Sequence, residues 1–351
     1  MKFVYETLPT RVVFRPGALD TLAEEVARIG SRALVLATPE QRDIAEEAAR
    51  RLGARAVGIF DRAVMHVPIE TANAAAAEAA RLGADCCVAI GGGSTTGLGK
   101  AIALAHGLPI IAVPTTYAGS EMTPIWGLTE DGVKKTGRDI KVLPRTAIYD
   151  PLLTLSLPPA LSAASGMNAI AHAVEALYAE NANPIVSLMA EESIRALARG
   201  LPAVVKAPRD VEARTEALYG AWLAGICLGS VGMALHHKLC HTLGGSFNLP
   251  HAETHTIVLP HAAAYNREAA APALHRVARA LGGEDAPQGL FALARAIGAP
   301  IALKDIGLSE AALDRAADLA VQNPYYNPRP VTREGVRSLL DDAFFGRPPR
   351  V

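Results

Sequence analysis

The stretch Cys86-Cys87-Val88-Ala89-Ile90-Gly91-Gly92-Gly93-Ser94-Thr95-Thr96 passes from five apolar residues straight into three glycines and a hydroxyl cluster. That is the pattern of a buried strand, a tight turn and the start of a helix. Glycines at such a junction let backbone N–H groups approach a pyrophosphate closely, and the helix N-terminus favours the anion. The spacing is not the GxGxxG fingerprint. Nor is it a Walker A loop, because Ser94 stands where that motif needs glycine and Ala101 where it needs Ser or Thr after Gly99-Lys100. Working outward, apolar runs at 33–38, 56–60 and 109–114 alternate with helical patterns at 40–52, 68–82 and 96–106. Short apolar strands separated by helices of this length read as βαβ units on a parallel sheet, a Rossmann-like layer. A second hydroxyl-rich turn, Pro114-Thr115-Thr116-Tyr117-Ala118-Gly119-Ser120-Glu121, follows the next strand. Two polar turns at consecutive strand ends form a dinucleotide crevice. The expected cofactor-binding residues are Thr38, Gly91, Gly92, Gly93, Ser94, Thr115, Thr116 and Ser120, with Lys135 as a cation.

From about Asp150 the strand signals stop, and helical periodicity runs through 160–180, 187–200, 212–228, 272–281, 287–297 and 310–321. The expected organisation is an α/β dinucleotide-binding domain at 1–155 and an all-helical catalytic domain at 156–351. A length of 351 residues agrees with two domains of roughly 100–200 residues each. Lys+Arg number 34 against Asp+Glu 35, a net charge of −1 that argues against a nucleic-acid binder, which needs a basic face. Mean hydropathy is +0.20. Much of this is alanine, and no apolar window reaches the ~20 residues a membrane span requires. Met1-Lys2-Phe3-Val4-Tyr5-Glu6 lacks the charged-then-apolar pattern of a signal peptide. Cys86, Cys87, Cys227 and Cys240 show no CxxC, and the adjacent Cys86 and Cys87, inside an apolar run, are expected to pack as small hydrophobes. A cytoplasmic protein is expected.

Seven of the ten histidines lie between residues 172 and 261, six of them within 236–261. His237 and His241 are four apart and project from one helix face, and Asn168 and His172 share that spacing on an earlier helix. His251 follows Pro250, with His255 four further on. Imidazoles grouped this way bind a metal, polarise a carbonyl or transfer protons.

Taken in order, Leu8-Pro9-Thr10-Arg11-Val12-Val13-Phe14, the glycine turn, Thr115 to Glu121, Asp150-Pro151, Gly166-Met167-Asn168-Ala169-Ile170-Ala171-His172-Ala173-Val174-Glu175 and the segment 237–261 resemble the iron-containing alcohol dehydrogenase family. The resemblance covers nearly the whole chain. It implies the dehydroquinate synthase-like fold of that family, an N-terminal Rossmann-like domain plus an all-α C-terminal domain. The family's metal set is one Asp and three His, and the matching positions are Asn168, His172, His237 and His251. The aspartate is therefore replaced by an amide, a much poorer donor for a divalent cation.

Segments 165–178 and 236–255 further resemble the maleylacetate reductase branch, whose members use NADH or NADPH without a metal. The resemblance implies a small dicarboxylate substrate, a homodimer, no resident metal and a catalytic set of His172, His237, His241, His251 and Asn168. Hydride addition to an alkene conjugated to a ketone leaves an enolate that must be stabilised and protonated. Preorganised donors at the developing charge lower such a barrier. His241 and His251 are expected to contact the reacting oxygen or supply the proton, with His237 and His172 completing a polar pocket. Lys134, Lys135, Arg138, Lys141, Lys238 and Arg329 are the candidate partners of the two carboxylates, Arg138 and Lys238 foremost. Tyr325-Tyr326-Asn327-Pro328-Arg329 is a segment that can close over them. Thr38-Pro39-Glu40 and Asp61 leave NADH and NADPH both open. The alternatives are a metal-dependent alcohol or polyol dehydrogenase of the same family and a dehydroquinate-synthase-like lyase, and Asn168 counts against both.

Overall fold

The computed structural model describes residues 3–131 and 133–350, with Val133 and Lys134 described by backbone alone. It divides into two compact units, Thr7–Leu157 and Pro158–Val351, the latter taking in Met1–Glu6.

The first unit contains β1 (Arg11–Phe14), α1 (Leu22–Ala27), β2 (Ala33–Leu36), α2 (Arg42–Leu52), β3 (Ala56–Phe60), α3 (Ile69–Leu82), β4 (Cys86–Gly91), α4 (Gly93–His106), β5 (Ile110–Pro114), the hairpin β6 (Ile125–Glu130) and β7 (Val133–Arg138), and β8 (Thr146–Tyr149). Six strands form a parallel sheet in the order β1-β8-β5-β4-β2-β3. Its strands are apolar on both sides, as helices on both faces require. Ala33, Val35, Val88 and Ile90 pack with Val26, Ala45 and Leu52 on one face. Leu34, Leu36, Cys87 and Ala89 pack with Ala75, Leu98 and Ile102 on the other. All four cysteines are free and buried, as the apolar run suggested for Cys86 and Cys87.

Strand order reverses between β2 and β4, because the chain runs out to β3 and returns to β4 on the other side of β2. Ligands of open parallel sheets bind outside the strand ends at such a switch point. The sequence reading did not anticipate β1, β8 or the hairpin. Helix α4 starts at Gly93 rather than at 96, so the glycine turn itself forms the first helical turn.

The second unit is helical: α5 (Pro159–Leu177), α6 (Pro184–Lys206), α7 (Val211–Ser230), α8 (Leu235–Phe247), α9 (His251–Tyr265), α10 (Ala271–Ala280), α11 (Ala286–Ala296), α12 (Leu313–Ala320) and α13 (Arg333–Phe345). Pro184 opens α6 behind an Asn183 cap that accepts from Val186 N, and Asp210 caps α7. Gly200 lets α6 and α7 approach closely, since a Cβ there would lie 2.8 Å from Ala217 N. Leu235, Leu239 and Leu243 of α8 share a core with Ile257 and Val258 of α9 and with α12 and α13. This packing fixes the two helices that carry most of the histidines. Among the described residues no single helix is long and apolar enough to cross a membrane.

Candidate active site

In the first unit the adjacent ends of β2, β4 and β5 bring Thr38, the glycine turn and Thr115-Thr116 together. Gln41 Nε2 donates to Thr115 Oγ1 at 2.6 Å, and Thr115 N donates to Gly91 O at 3.1 Å. Gly91 has φ +150°, and a Cβ on it would sit 2.4 Å from Thr95 Oγ1 and 2.6 Å from Gln41 Oε1, so the position admits only glycine. No side chain caps α4, and the buried Thr95 Oγ1 has no hydrogen-bond partner. A helix N-terminus left this way suits an anion.

The loop after β5 is held from below. Lys100 on α4, almost fully buried, donates from Nζ to Ser120 O at 2.7 Å, Ile125 O at 2.6 Å and Thr123 Oγ1 at 3.0 Å. Burial pushes its pKa down to about 7, while the neighbouring Glu121 pulls the other way. Glu121, itself buried, accepts from Tyr149 OH at 2.8 Å. The sequence reading did not assign Lys100 or Gln41. Asp61 is ion-paired with Arg42 Nη1 at 2.5 Å, and Lys135 lies exposed on the hairpin, ion-paired with Glu130.

In the second unit, α5, α8 and α9 bring the histidines together. His172 and His237 ring centroids are 5.2 Å apart, and His237 and His241 6.0 Å. His251 joins through His255, at 4.3 Å from it. Asn168, His172 and His237 are buried, whereas His241 and His251 are exposed.

Glu175 of α5, fully buried, organises the group. Its carboxylate accepts from Ala234 N and His236 N, both at 2.7 Å, and so caps α8, whose own N-cap is Ala234. It also bonds His237 Nδ1 at 2.7 Å. That bond orients the ring and leaves Nε2 as the free nitrogen, the arrangement that second-sphere carboxylates impose on active-site histidines.

Two further imidazoles, His236 and His255, are fully buried, and His236 Nε2 lies 2.9 Å from His255 Nδ1. His255 sits 4.9 Å from His237 and 6.4 Å from His172, centroid to centroid. Its spacing from His251 repeats the four-residue interval of the other pairs, which was the signal for it. Glu175 had a weaker one, three residues after His172. Burial, reinforced by neighbouring imidazoles, pushes His172, His236 and His255 well below the ordinary histidine range. Asn168 Oδ1, His172 Nδ1, His237 Nε2 and His255 Nε2 are all buried without a hydrogen-bond partner. Groups left so are the ones an occupant satisfies.

The candidate cations separate. Lys238 lies 5.8 Å from the Tyr325 ring centre, and Tyr325 OH bonds His241 Nδ1 at 3.0 Å, so this part of the 325–329 segment reaches the histidines. Arg329 instead donates to Tyr265 O and stacks on the Tyr265 ring. Lys141 pairs with Asp139, Arg138 is exposed on β7, and the Lys134 side chain lies outside the described residues. A recess of about 340 Å³ adjoins Tyr325 and Tyr326, lined also by Glu180, Asn181, Gly232 and Met233.

His236, His237 and His255 bring one nitrogen each within 4.8 Å of one another, close enough to hold a metal ion. His236 Nε2 and His255 Nδ1 bond each other and His237 Nδ1 bonds Glu175, so the opposite nitrogen of each ring is the one without a partner. The set at Asn168, His172, His237 and His251 offers three imidazoles and an amide but no anionic donor, and an amide oxygen is a weaker ligand than a carboxylate for a divalent ion.

Residues 9–151 match the model of iron-containing alcohol dehydrogenase, and residues 162–344 that of the C-terminal part of the Fe-containing alcohol dehydrogenase family. The chain is 60% identical to a maleylacetate reductase of Sphingobium indicum over 349 residues, covering 99% of both chains. It is likewise 60% identical to one of Burkholderia cepacia over 348 residues, again 99% of each. The crystal structure of maleylacetate reductase from Agrobacterium tumefaciens superposes with a TM-score of 0.96 at 54% identity, covering 99% of this chain and 100% of that one. The chain belongs to the iron-containing alcohol dehydrogenase family.

Proposed function

We infer that this chain is a maleylacetate reductase, which reduces the C=C bond of maleylacetate to give 3-oxoadipate with NADH or NADPH. One observation carries the reading: relatives of that name align with the chain from end to end at 51–60% identity. The neutral donor set around Asn168 supports it, because a reductase of this kind must stabilise an enolate without an anionic metal cage.

The glycine turn suits a dinucleotide. Gly91 is confined to glycine, α4 has no side-chain cap, and Thr95 Oγ1 is an unsatisfied polar atom beside it. The first N–H groups of α4 hold the pyrophosphate, while Thr38, Thr115, Thr116 and Ser120 bond the rest of the cofactor. When bound, the nicotinamide supplies the hydride. Lys100 keeps the 120–125 loop in place through its three bonds.

In the second unit the histidines divide the work. His241 and His251, being exposed, exchange protons with water and deliver one to the substrate carbon after hydride addition. Tyr325 OH bonds His241 Nδ1 and so orients the ring. His237, oriented by Glu175, and His172 line the pocket with fixed, neutral or hydrogen-bonded imidazoles, and Lys238 is the cation beside them for a carboxylate. We assign no step to a metal.

A metal-dependent dehydrogenase has one observation in its favour, the close approach of His236, His237 and His255. The deciding experiment measures NAD(P)H oxidation with maleylacetate after exhaustive chelation. Full activity is expected. Activity lost on chelation and restored by iron or zinc would overturn the metal-free reading. Turnover of simple alcohols without turnover of maleylacetate would overturn the substrate.

A further inference from the structure

Lys100 is a buried lysine to which hydride and proton transfer give no part. It stands on α4, the helix that the glycine turn opens, and only 1% of its surface is exposed. Burying an ammonium is strongly disfavoured unless it is paired and hydrogen-bonded. Here it is both. Its three donors are spent on Ser120 O at 2.7 Å, Thr123 Oγ1 at 3.0 Å and Ile125 O at 2.6 Å. The buried Glu121 supplies the opposing charge, and each group favours the ionised form of the other. All of these partners belong to the 120–125 segment that leads from β5 into the hairpin. That segment continues the second wall of the dinucleotide crevice. Its near end abuts the glycine turn: Thr115 N donates to Gly91 O at 3.1 Å, a Cβ on Gly92 would lie 3.1 Å from Thr116 Oγ1, and one on Gly93 would lie 3.7 Å from Ala118 Cβ. Its far end is fastened twice, to α4 through Lys100 and to β8 through the Tyr149 OH that donates to Glu121 at 2.8 Å. Between the two ends the backbone turns at Gly119, with φ +80°, and glycine has more conformational freedom than any other residue. The fastening therefore falls to side chains.

We propose that Lys100 is a positioning residue for the reductant: it ties the 115–125 loop to the helix whose first turn receives the pyrophosphate, so that both walls of the dinucleotide crevice are set before the cofactor arrives. The inference rests on the reading of this crevice as the cofactor site. A loop already ordered in its bound shape loses less freedom on binding, so the clamp strengthens affinity for the dinucleotide. Lys100 touches no reacting atom, and the chemical step is left to the groups of the second unit.

The test titrates NADH and NADPH, by fluorescence, into the full-length wild type and into Lys100→Met, Lys100→Met/Glu121→Gln, Thr123→Val and Thr123→Ser. Lys100→Met removes all three donors at similar size. The double variant also removes the carboxylate charge that Lys100→Met strands, and it judges the proposal if the single variant does not fold. Losing a hydrogen bond from a charged donor shifts an equilibrium by about tenfold or more, so the dinucleotide Kd is expected to rise at least that much in both Lys100 variants. Thr123→Val, which removes one acceptor, should give a smaller rise, and Thr123→Ser, which keeps it, should match wild type. With saturating cofactor, kcat and KM for maleylacetate should stay within about threefold of wild type, the split that lost ground-state binding produces. Hydrogen exchange in the cofactor-free enzyme should quicken at 119–125 in the Lys100 variants and stay unchanged across α5 to α9. A dinucleotide Kd within about twofold of wild type in the double variant would overturn the proposal, as would a fall in kcat as large as the loss of affinity. Wild-type enzyme that binds the dinucleotide but fails on maleylacetate would refute the substrate reading alone, and the titrations would still judge Lys100. Wild-type enzyme that binds neither dinucleotide would overturn the crevice assignment and this inference with it.

Discussion

Glu175 makes three bonds that no other residue can replace together: one to the N-cap N–H of Ala234, one to His236 N in the first turn of α8 and one to the His237 ring. Glu175→Gln puts an amide N–H where two of these donors converge. Hydrogen bonds to a charged group contribute about 1.5–3 kcal/mol each, so a loss of about 3 kcal/mol in urea unfolding is expected. Because the His237 ring is released as well, kcat should fall at least about tenfold, the scale of second-sphere substitutions. His261 on α9 makes a separate, purely electrostatic prediction. Burial lowers its pKa from 6.5 to about 4, though Asp342 opposes the shift. The folded chain thus binds that proton less readily than the unfolded chain. Its contribution is fully present above about pH 6.5 and is lost as the pH falls toward 4. Urea midpoints should drop between pH 7 and pH 5, and His261→Gln should flatten the drop by up to about 1.4 kcal/mol per pH unit. An unchanged slope would show that His261 titrates normally.

The β4–α4 junction shows what local sequence conveys and what it hides. Three successive glycines announce a turn, yet the last of them already belongs to the helix, because a helix start needs free N–H groups rather than side chains. Gly91→Ala must place a methyl group against Thr95 and Gln41. If strain of about 1.4 kcal/mol falls on the cofactor-bound state, KM for NADH rises about tenfold, with KM for maleylacetate changed less than threefold. Equal changes in both constants would argue that the turn serves folding rather than the cofactor. Helix α9 was invisible to periodicity for a related reason. From Thr254 to Ala263 it is buried on every side, so it lacks a polar stripe, and Pro250 and Pro260 read as breaks. Strands β1 and β8 are four residues each, too short for an alternation to emerge, and parallel pairing defines them, β1 with β8 (Arg11 with Thr146 through Phe14 with Tyr149) and β8 with β5. Helix α5, with its proline start, was legible almost to its ends, whereas α6 begins before the expected 187–200 and runs on to Lys206 through Pro202, which reads as a break.

On the scale of the whole chain, the two units are assigned different ligands, and hydrogen exchange separates them. NADH should slow exchange at 91–96 and 115–121, and at 100 times its Kd should add about 2.7 kcal/mol to the stability of what it binds. A dicarboxylate such as 3-oxoadipate should act instead on 235–257. Protection of both regions by NADH alone would overturn that division. The sequence by itself determined the alternation of strand and helix, the glycine turn, the four-residue spacing of the histidine pairs and the loss of the aspartate at Asn168. These are properties of neighbours a few residues apart, where backbone geometry maps directly onto sequence period. Only the tertiary structure decided which imidazoles are buried and neutral, which are exposed, and that Glu175 governs His237 from 62 residues away. Burial and long-range hydrogen bonds belong to packed helices rather than to any segment. The protonation behaviour of the site therefore emerges only when α5, α8 and α9 come together.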